Sequence, residues 1–139
     1  MIQRNWVSDV EELHRKFGDL PAKVSAMDPS VRAEFLDFRM RFLAEELEEM
    51  RTAVPAEDVV DALVDLCVVA IGTLHAFGVD ARRAWDVVHQ ANMCKTPGSN
   101  PRRPNRFGLP DLVKPDGWTP PSHSGNTGMI VIPDREVSS

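Results

Sequence analysis

The stretch from Val59 to Phe77 constrains the fold more than any other part of the chain. It is apolar at most positions, free of proline, and bounded by Pro55 before it and Gly78 after it. Apolar residues on all sides of a helix need neighbours on all sides, so the segment reads as the central helix of an all-α domain. Asp61 and Asp65 interrupt it four residues apart, which stacks them on one helical face. With Gly72 and His75 they argue for a helix buried in a bundle and against a membrane span.

Three further helices are legible around it. Ser8 and Glu11 read as a capping box, Val10, Leu13 and Phe17 follow at helical spacing, and Gly18 reads as the stop. Leu20-Pro21 and the run Ala26 to Pro29 punctuate a connection. Asp28 as N-cap with Pro29 at the first helical position opens a second helix to about Arg51. The central helix then covers roughly 56–77, and Asp80 caps a fourth through about Met93. Short connections between four helices predict an antiparallel four-helix bundle in a domain of residues 1–95. From 96 to 139 prolines and glycines accumulate, predicting an irregular extension that packs on the domain or on a neighbouring subunit. Only Met129 to Pro133 has strand character there.

Composition excludes several function classes. A net charge of -5 and a pI of about 5.3 argue against a dedicated nucleic-acid binder, whose affinity comes from neutralising phosphates. An anionic substrate stays compatible if metal ions carry the positive charge. Cys67 and Cys94 form no CxxC pair and read as reduced thiols. The N-terminal stretch lacks the apolar core of a signal peptide, so a cytoplasmic location is expected. There is no GxxxxGK[ST] loop, no HD pair, and no nucleophilic serine or cysteine constellation.

The acids of EELEE carry the chemistry. A glutamate-rich run taken alone is a solvated helix face. On a wheel advancing ~100° per residue, however, Glu45, Glu46 and Glu49 share an arc with Val31, Phe35, Phe38 and Phe42, with Leu43 and Met50 close by, whereas Glu48 points to the polar side. Carboxylates grouped on a core-facing arc repel each other and resist desolvation, so positive charge is expected among them. A hairpin of the second and third helices would face them with Asp61 and Asp65. All-oxygen ligation suits Mg²⁺ or Mn²⁺ and argues against zinc.

Glu45-Glu46-x-x-Glu49 followed by acids in the next helix resembles the EExxE…ExxD signature of the all-α nucleoside triphosphate pyrophosphatases. RFLAEELEE, DALVDLCVVAIGTLHAFGVD, VHQANMCK and KPDGWTPP together resemble a MazG-like or phosphoribosyl-ATP-pyrophosphohydrolase-like branch of viral type, over Phe17 to Pro121. Where the family often has Glu three residues before the last Asp, this chain has Ala62, and its acid is Asp61. The resemblance implies Mg²⁺ bound by Glu45, Glu46, Glu49 and Asp65, with Asp61 a displaced fifth. It also implies cleavage of a nucleotide between the α and β phosphates, with Glu46 and Glu49 as catalytic residues. Asn92 and Lys95 would contact phosphate, and a homodimer or homotetramer would complete the pocket. Short free-standing relatives point to a (d)NTP such as dGTP, with phosphoribosyl-ATP as the alternative substrate. A helical interaction protein that binds Mg²⁺ only for folding is the competing class.

Arg102, Arg103 and Arg106 read either as a solvated loop or as a clamp over the β and γ phosphates. Trp118 reads as a packing anchor, with base stacking as the alternative. Phe17 and Trp6 pose the same choice, with core packing favoured.

Overall fold

A computed structural model of the chain describes residues 4–108 and 111–132. It is mainly helical: α1 (Trp6–Lys16), α2 (Leu20–Ser25), α3 (Pro29–Thr52), α4 (Ala56–Ala76) and α5 (Ala81–Met93) are followed by two short strands, β1 (Thr96–Gly98) and β2 (Asp111–Val113). The described residues form two compact units, one reaching to Ala81 and resuming at Gly125, the other spanning Arg82–Ser124. The boundary expected between residues 95 and 96 falls inside the second unit.

In the first unit α1, α2 and α3 pack on α4. This is the expected all-α arrangement, with a further helix, α2, in the connection between the expected first and second helices. The segment around Leu20-Pro21 forms a helix of its own because Asp19 caps it, accepting from the Ala22 N–H at 3.3 Å, and because proline is tolerated in a first turn. Six residues are too few to show periodicity in the sequence. Arg32 holds the other end of α2, donating to the carbonyls of Val24 at 3.0 Å and Ser25 at 2.8 Å. The cap of α1 is Asn5, whose side chain accepts from the Ser8 N–H at 2.9 Å, so the capping box read at Ser8 and Glu11 does not form as drawn. Pro29 opens α3 after an extended Asp28, as expected.

The core of this unit is Val24, Leu36, Ala76 and Phe77, joined by Leu20, Met27, Phe35, Met129 and Ile130. Phe35 stacks on Phe77 with ring centroids 5.8 Å apart. Residues 125–132 return to this core. Asn126 is buried and exchanges two hydrogen bonds of 2.9 Å with the backbone of Asp80, and the Met129 N–H donates to the Phe77 carbonyl at 2.7 Å. Gly128 makes that approach possible, since a Cβ there would sit 2.1 Å from the Phe77 oxygen. Met129 to Ile132 therefore pack as irregular chain instead of the expected strand, and Pro133 lies outside the described residues.

Two expectations about helix faces are corrected. The buried residues of α3 are Ala33, Leu36 and Glu46, while Val31 and Phe38 are exposed, so the buried arc is rotated from the predicted one. Helix α4 buries Ala62, Val69, Gly72 and Ala76 but exposes Val60, Leu63 and Val64. By length and composition it could cross a membrane, and 22% of that span is buried within the chain.

In the second unit, β1 and β2 pair antiparallel with Thr96 opposite Val113 and Gly98 opposite Asp111. The extension is thus partly ordered as a hairpin. Its long connection hides it from pattern reading, which detects tight turns between alternating runs.

Candidate active site

The α3–α4 turn is short, so the two helices run back antiparallel and their acids meet. Glu49 and Thr52 from α3, its C-cap Ala53, and Asp58, Asp61, Ala62 and Asp65 from α4 line a cavity of about 290 Å³. Glu46 lies in the buried stripe of α3 and is only 8% exposed. Its Oε2 is buried without a hydrogen-bond partner among the described residues. A buried carboxylate oxygen left unpaired is costly, so this atom points to a missing positive or donating group. Burial, followed by the negative charges of Glu49, Asp65, Glu45 and Asp61, pushes the Glu46 carboxyl above the ordinary glutamate range.

The four other predicted acids all act on Glu46, from unequal surroundings. Glu46 is buried and Asp65 partly so, whereas Glu45, Glu49 and Asp61 are exposed on the flanks. Glu48 faces solvent, as the wheel indicates. Among the described residues no three His, Cys, Asp or Glu side chains already close on one metal-sized point. The donor set fits a hard divalent cation by its all-oxygen chemistry and by the orphaned Glu46 oxygen, in the form of an open acidic cleft instead of a closed cage.

The remaining predicted contacts lie elsewhere in the chain. Phe17 caps α1, is 71% exposed, and carries the Lys16 ammonium 5.3 Å from its ring centroid. Asn92, Lys95, Arg102, Arg103, Arg106 and Trp118 belong to the second unit. Trp118 is anchored there, its indole N–H donating to the Ala91 carbonyl at 2.8 Å, with the ammonium groups of Lys95 and Lys114 at 5.4 and 4.9 Å from the ring centroid. Arg103 donates to both carboxylate oxygens of Asp111 at 2.8 and 2.9 Å, which with the Leu112 N–H holds that carboxyl below its ordinary range. Arg106 lies over Phe107.

Sequence reading missed a polar cluster that joins α3 and α4 to α1. His14 and His75 share an Nδ1···Nδ1 hydrogen bond of 2.7 Å, one imidazole donating and the other accepting. Burial, then the charges of His75 and Arg39, lower the proton affinity of His14. Arg39 of α3 donates from Nε to the Thr73 hydroxyl at 3.0 Å and from Nη2 to the Val69 carbonyl at 3.1 Å. The only signal in the sequence is Gly72, a glycine inside an otherwise well-formed helix.

The family comparison places this helical hairpin, with carboxylates on both arms, in a class, the MazG-like all-α nucleoside triphosphate pyrophosphatases. Within that class the chain belongs to the phosphoribosyl-ATP pyrophosphohydrolase family, whose model matches residues 10–92. It is thus an enzyme of the pyrophosphohydrolase type. No curated protein matches it.

Proposed function

We propose that the chain is a Mg²⁺-dependent nucleotide pyrophosphohydrolase that splits a (d)NTP between the α and β phosphates, giving the (d)NMP and pyrophosphate. The observation that supports this best is the unpartnered, buried oxygen of Glu46 amid four further carboxylates, in a chain of this family. Glu45, Glu46, Glu49, Asp65 and Asp61 would hold Mg²⁺, with Mn²⁺ as a substitute, and the ion when bound supplies the charge that neutralises the triphosphate. Glu46 takes a proton from the attacking water, a role that suits a carboxylate whose proton affinity burial and its acidic neighbours raise. Asn92 and Lys95 are assigned to phosphate on the family resemblance alone. Of the three arginines in the extension, Arg103 is already committed to Asp111.

The family match favours a second reading, in which phosphoribosyl-ATP is the substrate. It contains the same anhydride, so the acidic cleft serves both. A second copy of the chain would cover the exposed apolar face of α4, giving a homodimer or a homotetramer, and a cytoplasmic setting goes with a nucleotide substrate. Pyrophosphate release should be measured on all NTPs and dNTPs and on phosphoribosyl-ATP, with and without Mg²⁺. We expect Mg²⁺-dependent release from a (d)NTP, dGTP being the narrowest form. Release from phosphoribosyl-ATP alone would select the second reading. Silence across the whole panel would leave a Mg²⁺-binding interaction protein and end the catalytic one.

A further inference from the structure

We infer that Arg39 is a positioning residue that locks the register of α3 against α4, and so sets Glu46 opposite Asp65. The consequence for catalysis rests on the proposed reading of the acid cluster. Arg39 lies seven residues before Glu46, on the same stripe of α3. Its partner Val69 lies four residues after Asp65, on the same face of α4. The clamp and the acids thus belong to one helix–helix seam, about two turns apart on α3 and one turn apart on α4.

The bonding is suited to fixing register. Arg39 Nε donates to Thr73 Oγ1 at 3.0 Å, Arg39 Nη2 donates to the Val69 carbonyl at 3.1 Å, and the Thr73 hydroxyl donates to that same carbonyl at 2.7 Å. The three groups close a ring. One planar guanidinium bound through two of its nitrogens to Val69 and Thr73, residues one turn apart on α4, resists sliding and rotation of α3 in a way that a lysine's single point charge cannot. These partners are a hydroxyl and a backbone carbonyl, so Arg39 acts on the helices and not as a counter-charge for the acids.

Gly72 supplies the room. A Cβ there would lie 2.9 Å from Arg39 Nη2 and 3.4 Å from His14 Nε2. Glycine inside a helix costs stability relative to alanine, and the space it leaves is the space the guanidinium fills. A slip of one turn would move Glu46 past Asp65 by about 5.4 Å.

The test uses R39M, R39K and G72A in the full-length protein. Spin labels at exposed positions 48 and 57, in a C67S/C94S background, report the α3–α4 register by their separation. Mn²⁺ affinity is read by electron paramagnetic resonance, and kcat and KM on the best nucleotide of the panel. We expect R39M and R39K to shift or broaden the label distance and weaken Mn²⁺ binding about tenfold. In both, kcat should fall while KM changes less than about twofold. G72A should keep its helical content, because alanine favours the helix, yet move distance and affinity in the same direction. It therefore separates positioning from folding, and it decides the matter if R39M fails to fold. Unchanged label distances in G72A and R39K would overturn the inference. A wild type that neither binds Mn²⁺ nor releases pyrophosphate would overturn the metal reading instead, with the label distances still deciding the role of Arg39.

Discussion

Glu46 is the buried member of the acid cluster, and the proposed chemistry rests on it. Its carboxyl is pushed upward, so the folded chain binds that proton more tightly than the unfolded one. The stability this group contributes is full below the ordinary value of 4.5 and is lost as the pH rises through its raised value. At neutral pH and without divalent ions, E46Q should accordingly melt higher than the wild type, with the gap widening as the pH climbs from 4.5. Melting curves in chelator across that range check the sign. An E46Q protein no more stable than the wild type at pH 7 would refute the view of Glu46 as an uncompensated buried charge. The helical wheel reveals that Glu45, Glu46 and Glu49 differ from Glu48. It does not reveal that Glu46 alone is buried, because that depends on how far α3 is rotated against α4.

At the scale of elements, the molecule is held by local signals and by one return of the chain. Pro29, Pro55 and Gly78 bound α3 and α4 where the sequence indicates, since each acts through its own backbone. The segment 125–132 carries no comparable pattern, and its place against Phe77 and Asp80 is settled by contacts with residues some 50 positions earlier. Gly128 has a φ of +54° in addition to its close approach to the Phe77 oxygen. G128A should therefore destabilise the first unit by about 2 kcal/mol or more, through both backbone strain and the displaced Met129 bond. Urea unfolding measures this directly, and a loss below about 0.5 kcal/mol would mean that the return segment contributes little.

At the scale of the whole molecule, the exposed side of α4 matters most. Val60, Leu63 and Val64 are 62%, 48% and 53% exposed on one helix, and Trp6 and Leu13 add apolar surface on α1. Apolar surface of this extent is what the proposed assembly would cover. If a second copy covers it, the wild type should sediment as a dimer or tetramer at micromolar concentration, and the V60K/V64K double variant should shift toward monomer with its helical content retained. A monomeric wild type would remove the proposed assembly.

Much of the fold was legible in the chain itself. Prolines and glycines bound the long helices, and the motifs around Glu45, Glu46, Glu49 and Asp65 carried the resemblance to the family. These are short-range properties, fixed by backbone sterics and helical periodicity. Which carboxylate is buried, the meeting of His14 with His75, the Arg39 clamp at Gly72 and the return of Asn126 and Gly128 to the core were decided only by the tertiary structure. Each joins residues far apart in sequence, and no local preference encodes such a pairing until the helices have packed.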